Sequence, residues 1–383
     1  MDEHETSDDD PAQLAPPTPA GPSDQLVVRW TLRLSGPVVS PLLAYVLTRV
    51  TLVLAWYYGW AVSHFAGLGQ MLSGWYGQYN LEIAASGYVH GAGAPSSPTS
   101  AFFPGYPIAV RVAHVVSGLS LVEAGILISW VGGGFFVVTA GRLAATLYGD
   151  AAGRRAGVLL AVFPGTLVLG LPYGEGLALA LSAWSLLSVA RDRPWRAGVA
   201  GALAGLCSPL AAPIVIVLGL RALRERSREY AGAAGVAALG PLGALGLISA
   251  VTGSLLSWPL SLHRGLGATV NVVSLLTHLH HWPGTALTEL ASLGALALAV
   301  VACVRVRVPL EWTVYGAGVI LVVLIDGGSW LNPRFLLDAF PLLLGLGVWL
   351  KRDAYRAATY AFAALLPVVF LLYMTLGNVM GPP

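Results

Sequence analysis

The side chains in this sequence that could move a proton or hold a negative charge are few. Carboxylates stand at the ends of apolar runs or between them at Glu82, Glu123, Glu175, Glu289, Asp326 and Asp338. A carboxylate within reach of an attacking hydroxyl can serve as a general base. A guanidinium can hold a phosphate or carboxylate through charge-assisted hydrogen bonds. Glu175 sits in Tyr173-Gly174-Glu175-Gly176, at the tip of a hairpin of two apolar segments. Two readings of Glu175 stay open: a general base, or a carboxylate favoured at a helix start by the macrodipole. Arg334, at the mouth of an apolar run, could hold a phosphate or snorkel to a lipid headgroup; Asp326 and Asp338 flank it as local ion-pair partners. Arg264 follows His263 and is a second candidate phosphate contact. Arg49 lies inside an apolar run, where charge is costly and should face a helix-bundle interior. Glu123 and Glu289 open apolar runs and read as interface residues.

The aromatic residues gather in 75–107. That stretch reads WYGQYNLEIAASGY, a Gly/Ala/Pro/Ser spacer, then FFPGYP. Trp75, Tyr76, Tyr79, Tyr88, Phe103 and Tyr106 can stack on a sugar, or anchor the segment at a membrane–water interface, where amphipathic rings settle. Glu82 lies six residues after Tyr76, roughly 120° away around a helix, and is a second candidate base. His278, His280 and His281 lack a nearby acidic partner, and with Trp282 they fit an interfacial belt better than a metal site. No metal or cofactor is expected. Cys207 and Cys303 sit in separate apolar segments, with neither zinc spacing nor a disulfide framework.

These residues must be positioned by elements made for lipid. The chain is 56% hydrophobic and 10% charged, against about 25% charged in a soluble domain, and its mean hydropathy is +0.72. Several apolar runs reach the roughly 17–25 residues that cross a bilayer. Backbone polar groups in hydrocarbon must be satisfied within the segment, so these runs are helices. The expectation is an all-α polytopic membrane protein of about nine to eleven transmembrane helices. Seven of the 19 acidic residues fall in the first 24 positions. Residues 1–36 therefore read as a disordered acidic, Pro-rich cytoplasmic tail, and 37–383 as one transmembrane domain. The acidic start does not suggest a cleavable signal.

Spans are expected at about 38–63, 120–141, 229–253, 284–303, 309–325, 335–350 and 358–378, with an outer loop at 64–119. Residues 156–190 form a hairpin around the Tyr173–Gly176 tip. In 197–220, Pro209 and Pro213 interrupt an otherwise apolar run, which predicts two short helices turning near Ser208. With the N-terminus inside, all but four of the 21 Lys and Arg (Arg49, Arg111, Arg264, Arg334) lie on the cytoplasmic side, as the positive-inside rule favours. That orientation gathers 64–119, the Glu175 tip, the Ser208 turn, 254–283 and 326–334 on one outer face.

Several blocks, in order, resemble the PIG-V-type mannosyltransferases, the GPI mannosyltransferase 2 group and its bacterial relatives, within the GT-C glycosyltransferases. WYGQYNLEIAASGY is similar to that family's Trp-Asp-x-x-Trp-Tyr-x-x-Ile-Ala-x-x-Gly-Tyr, and FFPGYP to its Phe-Phe-Pro-x-Tyr-Pro. FPGTLVLGLPYGEG resembles the segment ending Tyr-Ser-Glu-Ser, and AGALAGLCSPLA a block ending Thr-Arg-Pro-x-Gly. TGSLLSWPLSLHRG and PRFLLDAFPLLLGL resemble the Thr-Gly-Asp-Pro and late Arg blocks, so that the likeness spans about 40–350. The departures are Tyr76 for the loop Asp, Tyr79-Asn80 for Trp-Tyr, Ser208 for the hairpin Arg and Ser254 for the Asp after Thr-Gly.

The resemblance implies a GT-C-like bundle with broken-helix hairpins. It implies transfer of mannose from a polyprenyl-phosphate-mannose donor to a lipid- or protein-linked acceptor on the outer face of a bacterial plasma membrane. Glu175 and Glu82 are then the candidate bases, and Arg334 and Arg264 the candidate phosphate ligands. Trp75, Tyr76, Tyr79, Tyr88, Phe103, Tyr106, Tyr173 and Ser208 would line the substrate pocket. Partners would be the lipid-linked donor, membrane lipids and a membrane-protein partner, with no nucleic acid. The changes at Tyr76 and Ser208 fit a second reading, a non-catalytic relative that binds lipid-linked glycan or serves as a transferase subunit. A transporter fits less well, because acidic groups within the spans are scarce and no inverted repeat is visible.

Overall fold

Proline and glycine positions divide the apolar sequence into helices of unequal length. The computed structural model describes residues 38–63, 76–90, 94–262, 283–326 and 332–380, with the backbone course alone for 62–63, 283–288, 325–326 and 372–380. The tail at 1–36, Trp75, Arg264 and the histidines at 278–281 lie outside the described residues.

The first helix, α1 (Val39–Ser63), is followed by α2 (Tyr76–Ser86), two short 3-10 turns and α3 (Gly105–Ser117). The loop expected at 64–119 is thus largely helical where it is described. Helix α4 (Leu121–Tyr148) opens with a capping box, Ser120 Oγ accepting from the Glu123 N–H while the Glu123 carboxylate accepts from the Ser120 N–H at 2.9 Å. This reciprocal cap satisfies two otherwise orphaned donors. The helix runs past Arg142, where the sequence suggested an end, and stops at Gly149, whose φ of +80° favours glycine.

Helix α5 (Asp150–Val162) ends at Phe163-Pro164 because the residue before a proline is pushed to extended backbone. The chain bends by 69° into the 3-10 helix Pro164–Gly170. The tip then leads into α6 (Glu175–Ala190). Helices α7 (Pro194–Cys207) and α8 (Pro213–Glu225) are joined by a 3-10 turn, Pro209–Ala211, so the hairpin at Ser208 forms as the prolines indicated. After α9 (Arg228–Thr252) and the short α10 (Ser257–Leu260) come α11 (Pro283–Val306) and α12 (Leu310–Asp326). The expected span at 335–350 is broken into α13 (Pro333–Asp338) and α14 (Phe340–Trp349). Pro341 lacks the N–H that would have bonded the Leu337 carbonyl in a continuous helix. The last helix is α15 (Arg352–Met380).

The fold is all-α among the described residues. Five helices of the described residues are long and apolar enough to cross a membrane, or six if α5 and its bent 3-10 continuation form one span. Glu175–Ala190, Leu310–Leu324 and Phe340–Trp349 are shorter apolar helices. One continuous core links α1, α4 to α9 and α11 to α15, with the Phe136 and Phe340 rings edge-to-face at 5.1 Å near its middle. Leu47, Leu54, Leu239, Leu242 and Leu321 point outward, as helices do when the solvent is hydrocarbon. Small residues let backbones touch, the usual interface of helices in lipid. A Cβ added at Gly132 would lie 2.7 Å from the Gly176 backbone, and one at Gly240 would lie 2.0 Å from the Ala202 carbonyl oxygen.

Candidate active site

The bend after α5 and the break between α13 and α14 bring together residues far apart in sequence. Asn332 caps α13, its side-chain oxygen accepting from the Arg334 N–H at 3.0 Å and the Phe335 N–H at 3.2 Å. That cap fixes the first turn of α13 and with it the stem of Arg334. The 3-10 segment lies directly against this turn. A Cβ at Gly165 would sit 2.2 Å from the Pro333 carbonyl oxygen, so only glycine permits the approach. The same segment delivers Tyr173 and Glu175 at the start of α6.

Arg334 and Glu175 form an ion pair with side chains 13% and 10% exposed. The guanidinium carbon lies 5.3 Å from the Tyr76 ring centroid, 5.2 Å from Tyr173 and 5.4 Å from Phe335. A guanidinium over aromatic faces gains a cation–π attraction that strengthens with desolvation. Tyr76 also packs on Tyr173 and Phe102, with centroids 6.3 and 5.8 Å apart, and Tyr79 stacks on Phe102 at 5.5 Å. Burial pushes the Tyr173 hydroxyl well above its ordinary pKa, despite the opposing pull of Arg334. Tyr173 is therefore neutral and Glu175 is the counter-ion of Arg334.

Tyr106 braces the tip from behind. Its hydroxyl is 2.8 Å from the Gly125 carbonyl and 2.9 Å from Ser129 Oγ, and Ser129 donates to the Tyr173 carbonyl at 3.0 Å. The Ser208 hairpin closes on the same place. A Cβ at Gly174 would meet the Cys207 carbonyl at 3.3 Å and Tyr106 Cβ at 3.4 Å, and one at Gly105 would lie 2.8 Å from Cys207 Sγ. Ser208 itself accepts from the Leu210 N–H at 3.2 Å and so caps the turn.

Of the residues singled out from the sequence, Tyr76, Tyr173, Glu175 and Arg334 therefore share one cluster, with Tyr79 and Tyr106 at its margins and Ser208 in the adjoining turn. Three others lie elsewhere. Glu82 is exposed on α2. Tyr88 donates to the Phe102 carbonyl at 2.8 Å, and Phe103 stands edge-on to Trp258 at 6.1 Å, in an apolar cluster completed by Ala244 and Ile248 of α9. Asp338, which the sequence offered as one of several carboxylates within reach and as a local partner of Arg334, is 3% exposed beside the Glu175–Arg334 pair. Phe335 beneath the guanidinium was not anticipated; its only signal was adjacency to Arg334. Glu289 is buried within the protein. Among the described residues, no group of three or more His, Cys, Asp and Glu side chains is placed to hold a metal ion.

Arg49 faces the interior from mid-span. It donates to the Thr166 carbonyl at 3.0 Å and lies over the Tyr45 ring at 4.7 Å. It also lines a cavity of about 110 Å³ whose other walls are apolar, among them Leu52, Trp56, Trp130, Leu167 and Phe370. Gly170, the last residue of the 3-10 segment that precedes the Glu175 tip, forms part of that wall.

No family model matches this chain. No curated protein matches it significantly. Among solved structures it is similar to the crystal structure of ArnT from Cupriavidus metallidurans bound to undecaprenyl phosphate, at 15% identity over 87% of this chain, with a TM-score of 0.50. The apo structure of the same protein aligns at 14% identity with a TM-score of 0.47. The chain spans 65% of the length of those structures. The likeness is one of fold alone, a polytopic all-α architecture like that of the undecaprenyl-phosphate-bound ArnT structure.

Proposed function

We infer that this chain is a membrane glycosyltransferase that takes a sugar from a polyprenyl-phosphate carrier and places it on a lipid- or protein-linked acceptor. The sequence resemblance makes the sugar mannose, the membrane a bacterial plasma membrane and the working side its outer face, with the N-terminus in the cytoplasm. The observation that carries the reading is the Glu175–Arg334 pair set among Tyr76, Tyr173 and Phe335. It supplies, in one buried place, a cation for a leaving phosphate and a carboxylate for an acceptor proton. Support also comes from the fold, shared with a protein crystallised with undecaprenyl phosphate.

In this scheme the acceptor oxygen attacks the anomeric carbon, its proton passes to the Glu175 carboxylate, and the bond to the carrier phosphate breaks. Arg334 exchanges Glu175 for the phosphate as negative charge develops on the leaving oxygen. Aromatic faces at Tyr76, Tyr79 and Phe102 offer stacking surface to the sugar.

One observation favours a second reading. Where the resembling family has its loop aspartate, Tyr76 presents a ring to Arg334. A non-catalytic binder of lipid-linked glycan, or a transferase subunit, would tolerate that change. The test is to supply the purified protein with labelled polyprenyl-phosphate-mannose and membrane-lipid acceptors. Turnover in the wild type that is lost in Glu175→Gln and Arg334→Ala supports transfer. Carrier binding without turnover supports the binder, and neither binding nor turnover defeats both readings.

A further inference from the structure

Asp338 stands one helical turn after Arg334 on α13. It is 3% exposed, and its Oδ2 has no hydrogen-bond partner among the described residues. Glu175 already occupies the Arg334 guanidinium, and both act electrostatically on Asp338. One guanidinium, packed against the rings of Tyr76, Tyr173 and Phe335, thus stands against two carboxylates. A buried carboxylate without a counter-ion of its own is costly, and such a group takes up a proton instead.

We propose that Asp338 carries a proton in the resting site, so that Glu175, Arg334 and Asp338 are together neutral, and that it is a positioning residue for an incoming phosphate. The second half rests on the transfer reading. A polyprenyl-phosphate sugar brings one negative charge. Beside a neutral cluster the sum is one negative charge, whereas beside an ionised Asp338 it is two, in surroundings of low dielectric where like charges repel strongly. The retained proton also makes Asp338 a hydrogen-bond donor to phosphate. Asp338 neither gains nor loses a covalent bond to carbon in this scheme, and its proton stays with it.

The elements packed against α13 bring other titratable groups. These are Tyr173 just before α6 and Glu175 at its start, Glu311 and Tyr315 on α12, and Glu289, Cys303 and Arg305 on α11. The segment Pro164–Gly170 and helix α14 contribute none.

The test is infrared spectroscopy of the full chain in lipid nanodiscs, with aspartate side-chain carboxyls labelled with carbon-13. The expected result at neutral pH is a protonated-carboxylic-acid band that moves with the aspartate label and is missing in Asp338→Asn. Absence of such a band, or its survival in Asp338→Asn, overturns the proposal. Undecaprenyl phosphate is the binding probe. Asp338→Asn, which keeps the shape of the neutral acid, should bind it within about threefold of wild type. The probe's own phosphate gains charge over the same range, so the comparison is between the two proteins: wild-type binding should weaken more steeply with rising pH than that of Asp338→Asn. Parallel profiles, or lost binding in Asp338→Asn, end the positioning role. If the wild type shows the aspartate band but binds no undecaprenyl phosphate, the transfer reading and the positioning role fall, while the protonated Asp338 stands.

Discussion

Breaking the Glu175–Arg334 pair from its two ends should give different results. Arg334→Ala leaves a carboxylate buried without its cation and removes the contact to three rings, so folding should weaken by about 3–5 kcal/mol. Glu175→Gln keeps a side-chain oxygen that the guanidinium can bond, and Asp338 is close enough to ionise in its place. Thermal unfolding should therefore drop clearly for Arg334→Ala and little for Glu175→Gln, while turnover falls by about 10²–10⁴ when the base is lost. Equal melting temperatures for the two variants would show that the pair is not the buried contact described. Tyr76→Ala, which removes the ring that faces Arg334, should cost about 0.5–2 kcal/mol in the same assay. At this scale the sequence was informative about residue type and silent about partnership. Spacing suggested that Asp338 pairs with Arg334, because residues four apart on a helix are neighbours. The partner proved to be Glu175, brought in by a bend that Pro164 permits but whose angle no local pattern sets. Tyr88 and Phe103 are of the same chemical kind as Tyr76 and Tyr173, yet they pack against α9 instead.

Among the elements, close backbone approach decides where the site's walls stand. Helix α7, which ends in the Cys207–Ser208 turn, is held to α9 by glycine contacts: Gly240 on the Ala202 carbonyl, Gly198 on the Ala233 carbonyl and Gly205 on the Pro241 ring. A methyl at Gly240 has no room at 2.0 Å from a backbone oxygen, and the two helices must separate to admit it. Gly240→Ala should cost about 1–3 kcal/mol through overpacking, read as a lower melting temperature of the purified protein. Gly246→Ala on the same helix meets nothing within 4 Å and should be neutral or slightly stabilising, since alanine is the better helix former. A matching loss in both would assign the effect to the helix itself rather than to its contact with α7. The hairpin at Ser208 was legible beforehand, because two prolines four residues apart leave few alternatives. The break at Ala339 and the 69° bend at Pro164 were less so. A single proline in an apolar run is compatible with a kink, a bend or an end, and packing against Gly165 and Phe136 selects among them.

For the molecule as a whole, length and depth are linked. Helix α6 has 16 residues, about 24 Å at 1.5 Å per residue, which is less than the roughly 30 Å hydrocarbon layer. With the basic end at Arg191 and Arg193 held at one interface, Glu175 lies just within the opposite one. That depth suits a reaction between a phosphate at the headgroup level and a lipid-anchored acceptor. Composition alone indicated a polytopic protein, since nothing but lipid accommodates so many outward leucines and valines. The side on which Glu175 lies rests on charge asymmetry, and it is open to direct measurement. In a chain with Cys207 and Cys303 replaced by alanine, the exposed positions Glu82 and Arg193 can each be changed to cysteine. A membrane-impermeant maleimide added to intact cells should label Glu82→Cys and leave Arg193→Cys untouched until the membrane is opened. The opposite pattern would turn the Glu175 cluster toward the cytoplasm. A carrier-linked donor presented outside could not then reach it, so the outer-face assignment would fall even if turnover in detergent were intact.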